Sequence, residues 1–142
     1  MKVSEIMSGR VVSVGMREPV SAAARLLRQF NVGSLPVCDG QHRLRGVVTD
    51  RDIVTRCVAV GEDPAETPVS EIMTRGIRTV APEDELDHAA RVMGEEQIRR
   101  LPVVEDGRLV GVVSLCDMAR AKSCAMEAGA ALTEISANVR RK

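Results

Sequence analysis

Residues Val3-Ser4-Glu5-Ile6-Met7 return word for word as Val69-Ser70-Glu71-Ile72-Met73, an offset of 66 residues. Ala23-Ala24-Arg25 returns at Ala89-Ala90-Arg91 and Leu35-Pro36-Val37 at Leu101-Pro102-Val103, both at the same spacing. Gly46-Val47-Val48 returns one residue early, as Gly111-Val112-Val113. The missing residue falls in the polar stretch Asp39-Gly40-Gln41-His42, where shortening a hairpin turn costs little. Aligned this way, 18 of 47 paired positions are identical, which establishes a tandem duplication. A fold built from one supersecondary unit used twice follows directly.

Each copy reads as strand, helix, strand, strand, helix. Residues 11–14 and 77–80 have the β-branched pattern of short strands. The stretch 19–30 carries Val20, Ala23, Ala24, Leu27 and Phe30 at helical spacing. Its counterpart opens on Pro82-Glu83-Asp84-Glu85, a proline and acids suited to a helix start, and continues with Leu86, Ala89, Ala90 and Met93. Strands 34–38 and 44–49 follow in the first copy, and 100–105 and 108–114 in the second, across Asp106-Gly107. Second helices begin near Asp50 and Leu115. The organisation is therefore a first repeat over 1–60, a linker over 61–68, a second repeat over 69–122 and a helical tail over 123–142. Leu132, Ile135 and Val139 give that tail its helical spacing. One such repeat buries too little apolar surface to stand alone comfortably, so the fold class is α+β, two repeats packed with pseudo-twofold symmetry.

Composition removes several functions. Twenty basic residues balance twenty acidic ones, which leaves no net field to attract nucleic acid. One Phe, with no Tyr or Trp, provides no platform for stacking single-stranded bases. No apolar run approaches a membrane span, and the amino terminus lacks the apolar core of an export signal, so a cytoplasmic location is expected. Cys38, Cys57, Cys116 and Cys124 show no CxxC spacing, and His42 and His88 lie far apart, so no metal site is expected. Reduced thiols suit a cytoplasm. Cys38, Val37, Val103 and Val104 read as core, His42 as an exposed turn residue, and Met7 and Met73 as gap-filling core. No nucleophile elbow, phosphate-binding loop or placed carboxylate pair appears, and no catalytic residue is assigned.

The densest pattern closes the third strand of each repeat. Gly46-Val47-Val48-Thr49-Asp50-Arg51-Asp52 matches Gly111-Val112-Val113-Ser114-Leu115-Cys116-Asp117: a hydroxyl residue, then Asp three positions on. That spacing makes a capping box for a helix start. The same hydroxyl, carboxylate and free helix N–H groups suit a ribose diol and a nearby phosphate. The two roles are compatible.

Ile-Met before the first strand, Leu-Pro-Val on the second and Gly-Val-Val-(Thr/Ser)-x-x-Asp after the third together resemble a pair of CBS domains, a Bateman module. The resemblance covers residues 3–121 and extends to small stand-alone bacterial members. It implies a non-enzymatic regulatory module that binds AMP, ADP, ATP or S-adenosylmethionine in clefts between the repeats, requires no cofactor, and commonly forms a homodimer. Carried over, Asp52 and Asp117 accept ribose hydroxyls, and Thr49 and Ser114 contact ribose or the first phosphate. Ser13-Val14 and Thr79-Val80 offer backbone groups and apolar walls to adenine. Arg99 and Arg100 precede Leu-Pro in the second repeat where the first has Gly33-Ser34, which makes one cleft the more basic. Arg51 is a further phosphate candidate, matched by Cys116. With no effector domain in the repeats, the output is expected in trans through an effector protein, or the module acts by sequestering its ligand. The alternative is an interaction module without a physiological nucleotide.

Overall fold

A computed structural model describes residues 1–121 and 131–135 and resolves them into two units. One comprises Val12–Ile77 with Gly107–Leu109, and the other comprises Met1–Val11, Arg78–Asp106 and the described residues from Val110 on. They are called here the first-repeat and second-repeat units.

The first-repeat unit runs β1 (Val14–Gly15), α1 (Val20–Phe30), β2 (Ser34–Cys38), β3 (Leu44–Thr49) and α2 (Asp50–Ile53), which passes into a π-helical turn, Val54–Val58. β1 lies parallel to β2, with Val14 opposite Val37, and β2 lies antiparallel to β3, with Leu35 opposite Val48. Pro19 stands just before α1 in extended geometry, where its missing N–H costs no helical bond. The helix stops at Asn31, which takes the left-handed conformation (φ 51°) and returns its N–H to Arg28 and Leu27. Val20, Ala23 and Leu27 face inward onto Leu35, Val37 and Val48.

The second-repeat unit contains α3 (Leu86–Glu96), β4 (Arg100–Glu105), β5 (Arg108–Ser114) from Val110 on, and α4 (Leu115–Arg120). β4 and β5 pair as a two-stranded sheet. Their turn uses Asp106 and Gly107 at φ 53° and 79°, the double left-handed geometry that Asp-Gly accommodates best. Leu86, Ala89, Ala90 and Met93 of α3 are buried against Leu101, Val103, Val113 and Met118. Ala131 and Ile135, one helical turn apart, join the same core.

The units exchange their leading segments. Val69, Ile72 and Met73, which open the second repeat, lie in the core of the first-repeat unit. Val3, with Ile6 and Met7 packed beside it, lies in the core of the second-repeat unit. Two hydrogen bonds fix each leader to a third strand: Thr74 with Val47 at 3.0 and 2.8 Å, and Ser8 with Val112 at 2.9 and 3.1 Å. Glycine on the strand makes this approach feasible. A Cβ on Gly46 would sit 2.6 Å from the Thr74 carbonyl, and one on Gly111 would sit 2.8 Å from the Met7 sulfur. The repeated Ile-Met and the repeated Gly-Val-Val are thus two halves of one contact.

Several local readings change. The strand expected over 11–14 reduces to Val14–Gly15, and that over 77–80 to a single parallel bridge from Val80 to Val103. The second repeat's helix begins at Leu86, not Pro82, because the Asp84 carboxylate accepts the Ala81 N–H at 2.8 Å and holds the acidic stretch as a turn. Ala24 and Phe30 are exposed, so the buried face of α1 is narrower than its apolar spacing. Val104 is half-buried rather than core. In the tail, Leu132 faces outward and Ala131 takes the inward place beside Ile135. Cys124 and Val139 lie outside the described residues.

Candidate functional site

β3 and β5 each end on a hydroxyl residue whose extended backbone turns the chain into a helix. The Thr49 hydroxyl accepts the Asp52 N–H at 3.0 Å, and the Asp52 carboxylate accepts the Thr49 N–H at 3.1 Å. Ser114 and Asp117 reproduce both bonds at 3.0 and 3.1 Å. Two orphan donors of each helix start are satisfied reciprocally, typically worth about 1 kcal/mol. The sequence spacing therefore delivers a carboxylate to the strand–helix junction twice.

The surroundings of the two carboxylates differ. Asp52 is 6% exposed. Beyond its cap, it accepts the Thr74 hydroxyl at 3.3 and 3.4 Å and pairs with Arg56 at 3.6 Å. Arg56 also donates to the Ile72 and Met73 carbonyls, at 3.1 and 3.4 Å, and to the Thr74 hydroxyl at 3.4 Å. Asp52 thus ties the second repeat's leader to the first repeat's helix. Asp117 is only half-buried, and among the described residues the Ser114 N–H is the one donor its carboxylate accepts from. The place of Thr74 is taken by Ser8, whose hydroxyl turns to the Arg10 carbonyl at 3.5 Å. The place of Arg56 is taken by Ala121, which has no charge to offer.

The remaining candidates take varied positions. The Arg99 carbonyl accepts the Leu115 N–H at 2.9 Å, so the Arg99-Arg100 pair sits beside the start of α4. Both arginines are exposed. In the first-repeat unit, Gly33 makes the same bond to Asp50 at 3.1 Å. Arg51 and Cys116 occupy matching exposed positions in the first turns of their helices. The Arg51 and Arg100 side chains have no hydrogen bond or ion pair among the described residues. Val14 and Val80 are buried, Ser13 is half-buried and Thr79 is exposed. Burial pushes the Cys38 thiol's pKa up, and the neighbouring Ser13 side chain pulls the other way.

Sequence reasoning missed Thr74 and Arg56. A signal for Thr74 was available, since a hydroxyl residue follows Ile-Met in both repeats. Arg56 stands four residues after Asp52, ordinary helical spacing for an ion pair. Among the described residues, no group of three or more His, Cys, Asp or Glu side chains is placed to hold a metal ion. None of the described helices is long and apolar enough to cross a membrane.

Two α+β repeats, each closing its last strand on a hydroxyl–x–x–Asp helix cap, define a tandem-repeat architecture. The chain belongs to the CBS domain family: the family model matches residues 3–59 and 69–123. It is 42% identical over 134 residues to the CBS domain-containing protein YhcV of Bacillus subtilis, covering 94% of each chain. The crystal structure of Hypoxic Response Protein I with two coordinated zinc ions is similar at TM-score 0.78 and 38% identity, covering 84% of this chain and 98% of that one. Two similar structures carry adenosine compounds. The CBS domain pair of MJ0100, in complex with 5′-methylthioadenosine and S-adenosyl-L-methionine, has TM-score 0.73 at 30% identity and covers 87% of this chain and 96% of that one. CBSX2 in complex with AMP has TM-score 0.73 at 31% identity, covering 84% and 94%.

Proposed function

We propose that this protein is a non-enzymatic sensor whose ligand contains adenosine: AMP, ADP, ATP or S-adenosylmethionine. The observation that carries the reading is the carboxylate held at the strand–helix junction, next to a hydroxyl and the first N–H groups of a helix. An ionised carboxylate accepts two hydroxyls of a vicinal diol, and the Cys116 N–H, which has no acceptor among the described residues, can meet a phosphate or carboxylate. The ligands named for MJ0100 and CBSX2 support it. Their common part is adenosine, while the 5′ substituent runs from a neutral thioether to a phosphate. Recognition of the nucleoside, with the 5′ group tuned separately by residues such as Arg51, Arg99 and Arg100, fits that range. Ser13-Val14 and Thr79-Val80 are assigned to the adenine. No cofactor is required.

Binding that favours one conformation alters the surface offered to others, and the output passes to a protein in trans. Exposed Phe30, Val54 and Val58 on the first-repeat unit suit a homodimer. Free Cys38, Cys57 and Cys116 suit a reducing cytoplasm. The alternative, an interaction module without nucleotide, draws on Asp52, whose carboxylate is already occupied by intrachain donors.

Calorimetric unfolding with each adenosine ligand and a GMP control tests the reading, since the chain lacks Trp and Tyr for fluorescence. A ligand at 100 times its Kd adds about 2.7 kcal/mol of stability. A rise in Tm with adenosine compounds alone is expected. No rise with any of them overturns the reading in favour of the interaction module.

A further inference from the structure

We infer that the two repeats have divided the labour of their shared motif: Asp117 receives the ligand's ribose, and Asp52 is an internal clamp that takes none. This rests on the adenosine reading above.

A carboxylate has about four lone-pair directions to offer. The Asp52 carboxylate accepts the Thr49 N–H and the Thr74 hydroxyl and faces the Arg56 guanidinium across a 3.6 Å ion pair. The carboxylate is nearly excluded from solvent. A ribose diol arriving there must displace Thr74 or Arg56. Either displacement disturbs the contacts that hold the leader, since Thr74 bonds Asp52 of α2 and Arg56, in the π-helical turn that follows, also holds the Ile72 and Met73 carbonyls. The exchange gains one set of hydrogen bonds and loses another, so little free energy remains for affinity. The carboxylate of Asp117 has one oxygen on the Ser114 N–H, and the other accepts nothing from the described residues. It is half-buried, with Ala121 where the clamp has Arg56. A diol can bind there without breaking an intrachain bond. The two arginines beside the start of α4, absent from the first repeat, give the same junction its positive charge.

Arg56 and Thr74 are therefore the residues that set stoichiometry, and the chain binds one nucleotide rather than two. Isothermal titration with AMP and, separately, S-adenosylmethionine tests this on the whole protein. Wild type is expected to saturate at one ligand per chain. Asp117→Asn keeps an oxygen for the Ser114 N–H but turns an amide donor toward the diol, and is expected to weaken binding roughly 100-fold with no second class of sites remaining. Arg56→Ala with Thr74→Val is expected to raise the stoichiometry to two. Should that double variant fail to fold, the Asp117→Asn titration still decides. Saturation at two in wild type, or half the sites surviving Asp117→Asn, overturns the division. No heat with either probe overturns the adenosine reading and the assignment of Asp117 with it. The clamp is then decided alone by unfolding of Asp52→Ala, which must lower Tm more than Asp117→Ala does.

Discussion

The same seven-residue pattern closes the third strand of both repeats, yet one carboxylate ends in a closed network and the other faces partly outward. The caps are alike to within 0.1 Å, because Thr49 and Ser114 present the same hydroxyl to the same third residue. What differs lies off the motif: Thr74 against Ser8, and Arg56 against Ala121. A duplicated motif fixes where a functional group sits. Its neighbours decide whether that group is available.

Removing the two carboxylates in turn is the strongest way to break this comparison. Asp52→Ala deletes a cap, leaves the Thr74 hydroxyl without its acceptor and removes the ion-pair partner of Arg56. A loss of about 3 kcal/mol is expected, against about 1 kcal/mol for Asp117→Ala, where only the cap goes. Urea unfolding of the two variants reads the difference, and equal losses would mean that the Asp52 network contributes nothing.

The helices are contrasted too. α3 is covered by Ala131 and Ile135, whereas α1 ends on exposed Phe30. Ile135→Ala should cost about 2 kcal/mol by emptying a buried site, and Phe30→Ala less than about 0.5 kcal/mol in the monomer. If dilution reveals a larger Phe30 effect at high protein concentration alone, the exposed face belongs to an interface between copies.

The smallest effect concerns the hairpins. The second uses Asp106-Gly107, whereas the first is organised by the Asp39 carboxylate. It accepts the Arg43 N–H at 3.0 Å, the Gln41 N–H at 2.9 Å and the Arg45 guanidinium at 2.9 Å. The backbone bond from Arg43 is the leading cause that holds Asp39 below the usual carboxylate range, opposed by some desolvation. A depressed folded pKa means that the contribution is complete above the unfolded value and disappears as pH falls through the folded one. Carboxyl NMR titration should place the Asp39 midpoint below that of an unstructured Asp. Local order in residues 39–43 should fade only in acid, while the Asp106-Gly107 turn, which rests on backbone conformation, keeps its geometry.

Much of this was legible beforehand. The bounds of β2 and β5, the Asp-Gly turn and both capping boxes follow from local rules that tertiary context left in place. The exchange of leaders was not legible, for a definite reason. Val3–Met7 and Val69–Met73 are chemically identical, so nothing in either pentapeptide states which Gly-Val-Val strand it covers. The Asp52 network was hidden for a related reason, since Thr74 reaches Asp52 only once that leader has crossed. Phe30 misled because its spacing continues the apolar stripe of α1, while the helix ends before that side chain can turn inward.

The exchange also orders events in time as the chain leaves the ribosome. The first-repeat unit has nearly all its parts once residue 77 is out, because its borrowed leader follows immediately. The second-repeat unit needs residues 1–11 and strands made some hundred residues after them. At roughly 5–20 residues per second, Val3, Ile6 and Met7 wait several seconds without their partners. The later unit closes a far longer loop, and long-range closure is slow. Residues 1–11 are therefore the segment that waits longest for its partners, and a tag or fusion attached to them would act on the second-repeat unit rather than the first.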